Sequence, residues 1–84
     1  MSVIFRIPDP AEFKIGFAKQ EQKYRNVGHA LLFAQLTYEI NLCKEGYYKL
    51  SKIERENKIS EYIKCQELVK ADYKEKRGKE LEIL

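Results

Sequence analysis

Apolar positions along the chain recur mostly at helical intervals. Phe13, Phe17 and Tyr24, with Gln20 between the last two, fall three or four residues apart, which predicts an amphipathic helix over about 10–25. Asp9 supplies an N-cap, Pro10 suits the first helical position, and Glu12 stands where a capping box needs it. Ahead of this start, Val3 to Ile7 reads as a short extended arm that Pro8 and Pro10 terminate. Gly16 weakens the first helix by about 1 kcal/mol relative to alanine.

Asn26-Val27-Gly28 is a candidate break, and a second helix is expected over about 27–45. Eleven of the 17 residues from Val27 to Cys43 are apolar, and the one formal charge among them is Glu39. Leu32, Phe33, Leu36, Ile40 and Cys43 make one stripe, which Leu31, Tyr38 and Leu42 widen. A helix apolar on most of its circumference has to be covered on most sides. Lys44-Glu45-Gly46 is a stop signal.

Ser51 and Glu54 form a second capping box and open a third helix over about 52–77. Ile59, Tyr62, Gln66, Val69 and Tyr73 alternate by threes and fours along it, a heptad-like seam with one polar member, Gln66. Gly78 ends it. Leu81, Ile83 and Leu84 follow in a tail that pairs as an edge strand or frays. The expected fold is therefore all-α, a small helical hairpin or three-helix bundle occupying the 84 residues as one domain.

Charge changes this picture little. Sixteen basic and 13 acidic residues give +3, and the two signs are interleaved. A nucleic-acid surface usually concentrates basic residues in a stripe. Tyr24, Tyr38, Tyr47, Tyr48, Tyr62 and Tyr73 lie near lysines and could stack on bases, but Tyr62 and Tyr73 belong to the helical seam. Weak nucleic-acid binding is accordingly a third reading. The N-terminus has no signal-peptide pattern, and Gln35, Glu39 and Asn41 interrupt the apolar segment, so a membrane span is not expected. Two cysteines, Cys43 and Cys65, without metal-site or Cys-x-x-Cys spacing read as reduced thiols of a cytoplasmic protein, with one disulfide between them as the alternative.

Little in the chain suggests catalysis or a cofactor. His29 is the one histidine, and Cys43 is 14 residues further along its helix, about 21 Å of rise. Cys65 could approach His29 across an antiparallel hairpin, although a histidine at a helix start more often caps or packs. One histidine and two dispersed cysteines make no metal set.

One segment carries a family likeness. Arg25-Asn26-Val27-Gly28-His29-Ala30, followed by an apolar helix, then Gly46-Tyr47-Tyr48-Lys49-Leu50, Asn57 and Tyr62, resembles the coenzyme A core of the GNAT acetyltransferases. The resemblance implies a phosphate loop at Arg25, Gly28 and Ala30 whose amides hold the pyrophosphate of acetyl-CoA. Asn57 and Tyr62 would belong to the second half of that core. It also implies strands before Arg25 and around 47–50. Only 24 residues precede Arg25, half of which read as helix, and the Ser51/Glu54 box starts a helix where a strand belongs.

The favoured expectation is a non-enzymatic interaction protein: a small subunit, adaptor or inhibitor, of the kind mobile elements encode. Its apolar surface exceeds what a hairpin can bury, so a homodimer or an obligate protein partner is expected. If the first helix does not turn back at Gly28, Phe13, Phe17 and Tyr24 form an exposed stripe. With Phe33 they are the expected partner-binding anchors.

Overall fold

A computed structural model of the chain describes residues 7–19 and 22–82. Four helices follow one another there: α1 (Pro10–Ala18), α2 (Gln22–Val27), α3 (His29–Lys44) and α4 (Lys52–Arg77). No strand occurs among the described residues. The fold is small and all-helical, of the three-helix-bundle kind, with its first helix in two pieces.

The local signals act as their chemistry requires. The Asp9 carboxylate accepts from the Ala11 N–H at 3.0 Å, and Pro10 occupies the first turn of α1. Ser51 Oγ accepts from the Glu54 N–H, and the Glu54 carboxylate accepts from the Ser51 N–H, completing a capping box on α4. Those bonds hold the Glu54 carboxyl below its usual range. At the end of α3, Tyr47 N–H reaches Leu42 C=O and Gly46 N–H reaches Cys43 C=O. This pairing of 6→1 and 5→2 bonds needs a left-handed residue, and Gly46 provides it at φ 79°. Gly78 ends α4 at φ 73°.

The expected first helix over 10–25 is corrected to two, α1 ending at Ala18 and α2 beginning at Gln22. Packing explains the difference. Phe13 and Tyr24 have ring centroids 5.0 Å apart, edge to face. In one straight helix eleven residues would separate them by about 16 Å. The second expected break is real. Gly28 sits at φ 91°, ψ 149° as the N-cap of α3, a conformation that turns the chain between α2 and α3. The extended arm falls mostly outside the described residues, but Ile7 is buried in the core. The tail's Leu81 is buried as well, while Ile83 and Leu84 lie outside the described residues.

Helices α3 and α4 form the main pair and run antiparallel: His29 meets Asp72, and Phe33 and Thr37 meet Gln66. Leu32, Leu36, Ile40 and Cys43 of α3 join Tyr62, Cys65 and Val69 of α4 in one core, with Phe13 and Phe17 from α1 and Tyr24 from α2. Helix α1 is tied to α4 by the Cys65 thiol, 3.7 Å from Pro10 C=O, and by Lys14 with Glu61 at 3.3 Å.

Candidate functional site

Three of the four expected anchors are corrected. Phe13 has no exposed surface, and Phe17 and Tyr24 are buried. Because the chain does turn at Gly28, these rings pack on one another and on α3 and α4 instead of facing outward. Phe33 is different. It is half-buried, packs against the core, and helps line a groove of about 470 Å³ on the far side of α3.

That groove is a site-like concavity on the described surface. Ala30, Leu31, Phe33, Ala34 and Thr37 line it from α3, and Leu81 and Glu82 close it from the tail. Its volume falls in the range of ordinary binding pockets, about 300–1,000 Å³. Its chemistry does not favour catalysis. The Thr37 hydroxyl is engaged by Gln66 Nε2 at 2.7 Å and itself donates to Phe33 C=O at 3.1 Å. Glu82 is the one ionisable side chain in the lining.

The helix face around the groove is apolar and open. Leu31 is 49% exposed and Tyr38 53%. With Ala34 they stand at i, i+3 and i+7, on one side of α3. Other exposed apolar residues are scattered: Ile15, Ile53 and Ile63 each adjoin a charged residue in sequence. Single residues of that kind are normal on a protein surface. Leu31 and Tyr38 were legible as part of the widened stripe of α3. The groove beside Leu31 was not, because it depends on two small alanines and on a leucine 47 positions beyond Ala34.

Two polar clusters complete the search for chemistry. His29 Nε2 donates to Asp72 Oδ2 at 2.7 Å, and Lys76 Nζ reaches the same oxygen at 3.1 Å. Burial works to raise the Asp72 carboxyl, but the His29 and Lys76 hydrogen bonds outweigh it and hold the carboxyl below its usual range. Phe17 and Tyr73 meet the His29 ring edge to face. His29 is thus a packing and clasping residue. Cys65 is hydrogen-bonded to Pro10 instead, so the Cys–His pairing open from sequence is not made.

The second cluster surrounds Glu39, which is almost wholly buried and accepts a short hydrogen bond from the Tyr48 hydroxyl. Burial, reinforced by the Glu39 charge, pushes the Tyr62 phenol well above its usual range. Burial also raises the Cys43 thiol, and raises the Cys65 thiol to about 11. Both cysteines are free, and neither is activated for attack. No group of three or more metal-ligating side chains exists among the described residues.

The coenzyme A core implied by the GNAT likeness is not assembled. Residues 45–48 are a turn, Ser51 caps α4, Tyr62 is buried, and Asn57 is exposed on α4. No helix among the described residues is long and apolar enough to cross a membrane. Compared with known protein families, with curated proteins and with solved structures, the chain matches none of them.

Proposed function

We propose that this protein is a non-enzymatic protein–protein interaction module, acting as a small subunit, adaptor or inhibitor through the outer face of α3. One observation carries the reading. Leu31, which lines an apolar groove of about 470 Å³, and Tyr38 two turns on are each about half exposed, on a helix whose inner face is already satisfied by the chain's own core. An apolar patch of this kind on a small domain usually marks a contact surface. Tyrosine is among the side-chain types that most often dominate binding energy. The free, unactivated thiols suit a reducing, cytoplasmic setting.

A photo-crosslinking residue placed at Tyr38 tests this directly, with the same residue at Ser60 on the exposed side of α4 as reference. The reading expects a discrete protein adduct from position 38 and none from position 60. Equal labelling at both positions would remove α3 as the working surface.

A further inference from the structure

We draw no further inference here: the strongest candidate, the apolar groove of about 470 Å³ between the outer face of α3 and the tail at Leu81 and Glu82, belongs to the surface already proposed for interaction, and nothing in the structure shows what covers it.

Discussion

His29 Nε2 lies 2.7 Å from Asp72 Oδ2, joining the first residue of α3 to the last turns of α4 across 43 positions of sequence. The antiparallel pair is thereby clasped at its open end, opposite the 45–51 connection. Both side chains are mostly shielded, at 22% and 16% exposure, so solvent screens the contact less than an ordinary surface pair.

The carboxyl of Asp72 sits below its ordinary value of 3.8, which fixes the sign of its pH effect. A depressed carboxyl favours the folded state fully above its unfolded value, and that contribution disappears as pH falls through the folded value. Acid unfolding should therefore steepen below about pH 4. Asp72→Asn should lower stability at pH 7 by about 1.5–3 kcal/mol and flatten the acid limb. Urea unfolding at pH 7 and pH 3 measures both. A variant with the parent's acid limb would show that Glu54 and Glu61, also held low by their hydrogen bonds, carry the effect.

At high pH the sign reverses. Burial raises the Cys65 thiol from 9.0 to about 11 and lifts the Cys43 thiol and the Tyr62 phenol as well. Groups whose protonated form is favoured by folding stabilise fully below the unfolded value and lose that contribution as pH climbs through the folded one. Stability should fall from about pH 9 to about pH 11. Cys65→Ala should be less stable at pH 7 yet show a shallower alkaline slope. In the native protein both thiols should react slowly with a disulfide reagent at pH 8, and quickly once urea unfolds the chain. Fast native labelling would contradict their burial.

Gly28 isolates a backbone effect. Its φ of 91° with ψ of 149° is open in practice to glycine alone, and no atom lies within 4 Å of where a Cβ would stand. Gly28→Ala therefore costs conformational energy with no steric clash, about 1–3 kcal/mol. A D-alanine placed there by chemical synthesis prefers positive φ and should cost less than the L-alanine variant. Equal destabilisation by both enantiomers would mean that space, not handedness, sets the constraint.

Most helix boundaries could be read from the sequence because each rests on a local contact. Asp9 bonds two residues ahead, Ser51 three, and Gly46 and Gly78 act through their own dihedrals. The break between α1 and α2 could not, since Lys19, Gln20 and Glu21 contain neither glycine nor proline to announce it. It follows from bringing Phe13 onto Tyr24, a tertiary demand that overrides helix propensity. The anchors were misread for the same reason. Aromatic spacing shows that Phe13 and Phe17 share a face, but not whether the chain or a partner covers it. The α3 stripe contained Leu31 and Tyr38, while the groove that Leu31 lines depends on the position of Leu81.

Gln66 tests how the α3–α4 register is specified. Its Nε2 donates to Thr37 Oγ1 at 2.7 Å and to Phe33 C=O at 3.2 Å, inside a seam otherwise built from Ile59, Tyr62, Val69 and Tyr73. A single polar residue in an apolar seam commonly fixes register at some cost in stability. Gln66→Leu removes both bonds, but neither acceptor is stranded: the Thr37 hydroxyl is exposed, and Phe33 C=O keeps its bond from Thr37. The change in stability should thus stay within about 1 kcal/mol of the parent. Specificity should suffer more. Free of the Gln66 anchor, α3 can rotate or slide against α4, which would move Leu31 and Tyr38 off the outer face and distort the groove. Gln66→Leu should accordingly keep its melting temperature, broaden or multiply its amide resonances, and lose the crosslink from position 38. Sharp single resonances with an unchanged crosslink would assign the register to the apolar packing and the His29–Asp72 clasp instead.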